Sequence, residues 1–176
     1  VVDTTYSVET GGGVWPMYGR DMKDHNWRKG GYGRLTFAQT LWYSSNIGVS
    51  RIIDDHYRNN PEKFVKGIHR IGLADDLKIP LVGATPARIR MPHKNSHGQY
   101  DNWSKTALPW MSIGYETQVP PISTLTFYNA IANGGKMVAS RFVKAVMKDG
   151  VVIKEFDPVV LREEIDKETT IKKKTK

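Results

Sequence analysis

The sequence predicts an α+β fold, predominantly helical, with a peripheral β-hairpin. Helix start signals at Thr36, Asn60 and Pro121 are each followed by apolar residues at helical spacing. An Asp149-Gly150 turn dipeptide sits between two β-prone runs. Between the third helix and the one after Pro121, residues 73–110 show no comparable period.

Taken in order, Val1 to Lys29 holds Thr10-Gly11-Gly12-Gly13, Trp15-Pro16, Asp21, Asp24 and Trp27, which reads as a loop-rich lead-in extending to about residue 35. Thr36-Phe37-Ala38-Gln39 is a capping box, in which hydroxyl and amide satisfy each other's backbone N–H groups. That helix runs toward Tyr43 and is broken by Ser44-Ser45-Asn46. Val49, Ile52, Ile53, His56 and Tyr57 then recur as the stripe of a second helix, with Asp54 and Asp55 on its solvent side.

Asn60-Pro61-Glu62 starts a third helix whose stripe is Phe64, Val65, Ile68 and Ile71, with Gly72 as its C′ residue. Pro80, Gly83, Pro86, Pro92, Gly98 and Pro109 make residues 73–110 a long connection, a place where function often resides. After Pro121, Ile122, Leu125, Tyr128 and Ile131 form an apolar stripe that Asn133-Gly134-Gly135 ends. Phe142–Met147 and Val151–Phe156 are the two strands of the hairpin, and Asp166–Lys176 begins a further polar helix. The helical part thus spans 36–135, and hairpin plus last helix span 136–176, within one partial domain over 1–176.

Composition bounds the function classes. The chain has 176 residues, of which 39% are hydrophobic and 25% charged. That is enough for one domain burying roughly 70% of its unfolded surface, though its lean apolar content suits a core shared with sequence outside it. No apolar run approaches the roughly 20 residues needed to span a bilayer, so any anchor is expected outside these residues. Zero cysteines exclude disulfides, thiol catalysis and thiolate metal sites. The net charge of +8 is scattered, with only Lys172-Lys173-Lys174 forming a run, and reads as a solvated surface rather than a nucleic-acid footprint.

Several candidate clusters have bland readings. His93 and His97 stand four apart, but Pro92, Asn95 and Gly98 argue against a helix and only Asp101 is near, so no metal is expected. His56 beside Asp54-Asp55 reads as a core or boundary histidine, and Glu163-Glu164, close to Arg162 and Lys167, as a solvated face. Trp103, Trp110 and Tyr115 could line a peptide groove, though packing is the commoner reason for aromatic residues there. Gly11-Gly12-Gly13 leads into no strand–helix unit and is not a phosphate loop.

The informative constellation is Tyr43-Ser44-Ser45-Asn46-Ile47-Gly48 between two helices, preceded by Gly31-Tyr32-Gly33-Arg34-Leu35-Thr36. Met111-Ser112-Ile113-Gly114-Tyr115-Glu116, Pro120-Pro121 and the run from Leu125 to Gly135 follow. Alone, Ser-x-Asn is a common helix break with a capping side chain. In this order the segments resemble the transpeptidase domain of class B penicillin-binding proteins, over roughly Thr10 to Lys173, and most of all the elongation or division enzymes of Bacteroides-like bacteria. Pro120-Pro121 and Ser123 stand where that family usually has Thr-Pro and a following Gln, a departure that still starts a helix.

The resemblance implies a helical fragment of the penicillin-binding, serine β-lactamase-like fold. It implies an enzyme that cross-links peptidoglycan stem peptides through a serine acyl-enzyme, is acylated by β-lactams and uses no cofactor or metal. By the same resemblance Ser44 and Asn46 are the catalytic residues of the second motif. Ser44 relays a proton, since a hydroxyl donates and accepts at once, and Asn46 holds a substrate amide. Ser45 fills the variable middle position and gets no catalytic role.

Acyl transfer of this kind also needs Ser-x-x-Lys and Lys-Thr-Gly, and neither occurs here. The only Lys-Thr pairs are Lys105-Thr106-Ala107 and Lys174-Thr175-Lys176, without the glycine. The expectation is therefore a piece of an enzyme, inactive alone, with the nucleophile before Val1 and the Lys-Thr-Gly strand after Lys176. Such a parent would work at the periplasmic face of the bacterial inner membrane with other cell-wall synthesis proteins. Apolar surface, or an oligomer contact, is expected where the missing sheet would dock. Two competing readings remain: a basic module binding nucleic acid or an anionic surface, and a non-catalytic cell-wall docking scaffold.

Overall fold

The computed structural model describes residues 3–166. Asp166 is a bend, and the rest of the expected last helix lies outside the described residues. In chain order the strands β1 (Ser7–Glu9), β2 (Val14–Met17), β3 (Arg20–Lys23) and β4 (Arg34–Thr36) lead into the helices α1 (Phe37–Trp42), α2 (Asn46–Tyr57) and α3 (Pro61–Arg70). Then come β5 (Arg88–Ile89), α4 (Ala107–Met111), β6 (Thr117–Gln118) and α5 (Pro121–Ala132). The strands β7 (Met137–Val138), β8 (Ala145–Lys148), β9 (Val151–Glu155) and β10 (Val160–Arg162) close the order. The chain forms two compact units, residues 1–65 with 90–117, and residues 66–89 with 118–176.

In the first unit, β1 pairs antiparallel with β4, Val8 opposite Leu35, and β2 with β3, Trp15 opposite Met22. The segment expected to be loop-rich is therefore partly stranded. Its turn, Tyr18-Gly19, has both residues at positive φ (51° and 81°), the geometry that matches the twist of a two-residue hairpin. The capping box at α1 is complete: Thr36 Oγ1 accepts from the Gln39 N–H at 3.3 Å and Gln39 Oε1 from the Thr36 N–H at 2.8 Å. Ile47 and Ile52 of α2 are fully buried, and α4 packs on α2 through a stretch in which Leu108 and Met111 are buried. This short helix inside the aperiodic region had no periodic signal, because its five residues make barely more than one turn.

Burial along α2 corrects the sequence reading. Asp54 is buried at 6% exposure, and His56 is exposed, its ring edge-on to Tyr6 and its Nδ1 2.8 Å from the Ile52 carbonyl. The reason is a partner: the Tyr18 hydroxyl donates to Asp54 Oδ2 at 2.7 Å, which lets the carboxylate turn inward where solvent exposure was expected.

In the second unit, Ala130, Met137 and Ile165 form the buried centre, with Phe127, Ile131 and Leu161 against them. The strands β7 and β10 pair antiparallel, with Val138 opposite Val160. Gly72 takes the left-handed φ of 83° expected of it. Arg162 is not part of a solvated charged face. It grips both Asp75 oxygens (2.5 and 2.7 Å) and donates to the Arg70 carbonyl at the end of α3, because a planar guanidinium can serve several acceptors. Its Asp75 contacts raise the Arg162 pKa.

The helix α5 is rotated from expectation, so that of its expected stripe only Ile122 and Ile131 are half-buried. Ser123, Thr126 and Ala130 are buried, while Leu125 and Tyr128 are 52% and 64% exposed. Small residues allow close approach, and Thr126 returns its hydroxyl to the Ile122 carbonyl at 2.8 Å. The hairpin of β8 and β9 forms as expected around Asp149 and Gly150, with every residue of β9 exposed.

Candidate functional site

The break between α1 and α2 is built from inside out. Ser45 is buried and caps α2, its Oγ accepting from the Gly48 N–H at 2.9 Å. The same hydroxyl donates to Asp24 Oδ2 at 2.8 Å, and Asp24 Oδ1 accepts the Ile47 N–H at 3.0 Å. A buried carboxylate is thus set against the positive end of a helix. Glycine at 48 is required by packing: a Cβ there would meet Thr40 Cγ2 at 2.3 Å. Thr40 also accepts, through its carbonyl, the Ser45 N–H at 2.9 Å.

With Ser45 turned in, its neighbours are turned out. Ser44 and Asn46 are both solvent-exposed. Ser44 has φ 51°, the left-handed region that a non-glycine residue enters at a cost of roughly 1–2 kcal/mol. Among the described residues its hydroxyl has no hydrogen-bond partner. Asn46 Nδ2 donates to the Lys23 carbonyl at 3.0 Å, which fixes the carboxamide and leaves its oxygen and second N–H for a ligand. Beside this shelf, Tyr43 stacks on Tyr32 at 4.9 Å, and the Tyr32 hydroxyl lies 3.0 Å from His25 Nε2. Trp42 is 75% exposed.

The structure therefore brings Ser44 and Asn46 out on the two sides of one buried residue. Sequence reasoning missed Asp24, which holds them there, and left Ser45 without a role. The one available signal was an acid just before an aromatic-rich turn, too common to single out. The shelf offers a free hydroxyl and a fixed carboxamide, and no lysine or histidine bonds Ser44 among the described residues. Lys105-Thr106-Ala107 opens α4 and is not on a strand. His93 Nδ1 lies 3.0 Å from Asp101, and Trp110 packs under Arg20 at 5.1 Å.

A concavity of about 380 Å³ opens at the other end of α2, lined by Tyr18, Asp54, Arg58, Tyr100, Trp103 and Lys105 among others. Burial pushes the Asp54 carboxyl up, against the pull of Tyr18 and Arg58. Burial, helped by a 2.7 Å hydrogen bond to Glu62, pushes Tyr100 up to about 12.

The profile of the penicillin binding protein transpeptidase domain matches residues 4–176. The chain belongs to this family. Its fold is similar to that of a peptidoglycan glycosyltransferase from Burkholderia ambifaria, at 25% identity and TM-score 0.67, covering 97% of this chain and 46% of that one. The transpeptidase domain of penicillin-binding protein 3 from Burkholderia pseudomallei is similar at 26% identity and TM-score 0.67, over 97% and 44%. Penicillin-binding protein A from M. tuberculosis, solved as an imipenem acyl-enzyme, shares the fold at TM-score 0.73 and 13% identity, over 98% and 37%. The chain spans less than half the length of these structures. No curated relative matches it. Among the described residues no helix is long and apolar enough to cross a membrane.

Proposed function

We propose that this chain supplies the Ser-x-Asn wall of a serine acyl-transfer site that cross-links peptidoglycan stem peptides and is acylated by β-lactams. The observation that carries the reading is the αL Ser44, its hydroxyl exposed beside the anchored carboxamide of Asn46. A residue held in a costly backbone conformation on the surface, by a buried hydrogen-bond frame, suits a preorganised site. Family membership supports the same reading.

In this mechanism a serine from outside these residues attacks the stem-peptide or β-lactam carbonyl and passes its proton to its own lysine. Ser44 Oγ carries the proton between that lysine and the departing amine nitrogen. Asn46 holds the substrate amide through its free oxygen and N–H. The acyl group then passes to the acceptor amine of a second stem peptide. The parent carries out this reaction at the outer face of the inner membrane, alongside other cell-wall synthesis proteins.

Fluorescent penicillin tests both halves. The 176-residue chain takes no covalent label; a labelled serine within it overturns the assignment of the nucleophile to another segment. In the complete parent, Ser44→Ala slows acylation by about 10²–10⁴-fold. Labelling at the normal rate in that variant would remove Ser44 from the relay.

A further inference from the structure

Asp24 fixes the shelf from within, and the next residue, His25, begins a second brace on the outside. His25 Nε2 lies 3.0 Å from the Tyr32 hydroxyl, and the two rings meet edge-on at 5.7 Å. Tyr32 in turn stacks on Tyr43, its ring 4.9 Å away and 18° from parallel. The Tyr32 hydroxyl also reaches the Tyr43 carbonyl, a long contact of 3.5 Å. With His25 Nε2–H donating to Tyr32 and Tyr32 donating onward, one hydroxyl serves both partners. Tyr43 is the C-cap of α1, where carbonyls lack a partner inside the helix.

The Tyr43 carbonyl and the Ser44 N–H belong to one planar peptide unit, so whatever holds that plane bears on φ at Ser44. Its N–H donates to the Leu41 carbonyl at 3.2 Å, while its carbonyl and the Tyr43 ring are held by Tyr32. The peptide unit on the other side of Ser44 is held separately, by the Ser45 N–H on the Thr40 carbonyl at 2.9 Å. Ser44 is left-handed at φ 51°, a conformation that persists only where the surroundings hold it. The buried frame around Asp24 reaches only the far side of this turn. Resting on the reading of Ser44 as the proton relay, we propose that Tyr32, locked by His25, is a positioning residue for the Ser44 hydroxyl. It acts through the Tyr43–Ser44 peptide rather than on the substrate.

The test follows acylation of the complete parent by a penicillin in stopped flow, which separates initial binding from the acylation rate constant. Tyr32→Leu removes the stack and slows acylation about tenfold, while initial binding stays within about twofold. Tyr32→Phe, which keeps the ring and its packing, and His25→Ala each slow it about threefold. Combined, these two cost no more than either alone, since both break one link. In a Ser44→Ala background, Tyr32→Leu has no further effect. A normal rate in Tyr32→Leu, or the same tenfold loss without the Ser44 hydroxyl, would overturn the proposal. The 176-residue chain gives a readout apart from catalysis, the strong NOE between N–H and Cα–H within Ser44 that a positive φ produces. That NOE weakens in Tyr32→Leu; unchanged strength also overturns the brace. If Ser44→Ala alone acylates at the normal rate, the relay reading falls, and the NOE still decides whether Tyr32 sets the turn.

Discussion

Asp24 Oδ2 and Ser45 Oγ meet at 2.8 Å inside the protein, joining the end of β3 to the start of α2 across twenty-one residues of sequence. The other carboxylate oxygen takes the Ile47 N–H at 3.0 Å. One acid thus satisfies a capping hydroxyl and an orphan helix donor at once. The inward turn of Ser45 is what sends Ser44 and Asn46 outward, so the frame of the shelf is buried while its chemistry is exposed.

Asp24→Ala leaves a buried hydroxyl and a buried N–H without their acceptor. The expected loss is about 2–4 kcal/mol, from an unsatisfied pair and the lost charge at the helix terminus. Ser45→Ala removes the cap and costs about 1–2 kcal/mol. Urea unfolding followed by tryptophan fluorescence measures both. A change below about 0.5 kcal/mol for Asp24→Ala would show that the carboxylate is dispensable.

Stability and activity should part company at position 44. Glycine enters the left-handed region without penalty, so Ser44→Gly is expected to be neutral or up to about 1 kcal/mol more stable. In the complete parent the same change should nearly abolish acylation. Ser44→Val should cost at least about 1 kcal/mol, since a β-branched residue fits that φ worst. Equal stability of the glycine and valine variants would contradict the backbone geometry.

Tyr100 makes the alkaline limit of stability specific. Its ordinary pKa is 10.0, and burial with the Glu62 bond raises it to about 12 in the folded protein. The folded state therefore holds this proton more tightly than the unfolded one. The contribution is intact below pH 10 and is lost as pH rises toward about 12. Tyr100→Phe should flatten the fall in stability across that window. An unchanged slope, measured by denaturation at pH 9.5, 10.5 and 11.5, would count against the Glu62 contact.

Elements with local chemistry were legible. The Thr36–Gln39 box, the Pro61 and Pro121 starts and the Asp149-Gly150 turn depend on neighbours in sequence, and all formed as read. What failed depends on partners far along the chain. Asp54 is buried because Tyr18 reaches it from thirty-six residues away, and Arg162 is engaged because Asp75 lies eighty-seven residues back. For α5, apolar residues occur all round the helix, so periodicity could not orient it; the small side chains of Ser123 and Ala130 decided which face went in. At the shelf, Ser44 and Asn46 were visible through resemblance to a family, whereas Asp24, whose role is purely three-dimensional, was not.

The ribbon of β8 and β9 has little to lose. All of Val151–Glu155 is open to water, and two strands alone are marginal in stability, so this arm contributes little to holding its unit together. That makes the Asp149-Gly150 tip a practical attachment point. A fluorophore or short epitope grafted there would report on the protein in living cells while leaving the hydrogen-bonded frame around Asp24 untouched.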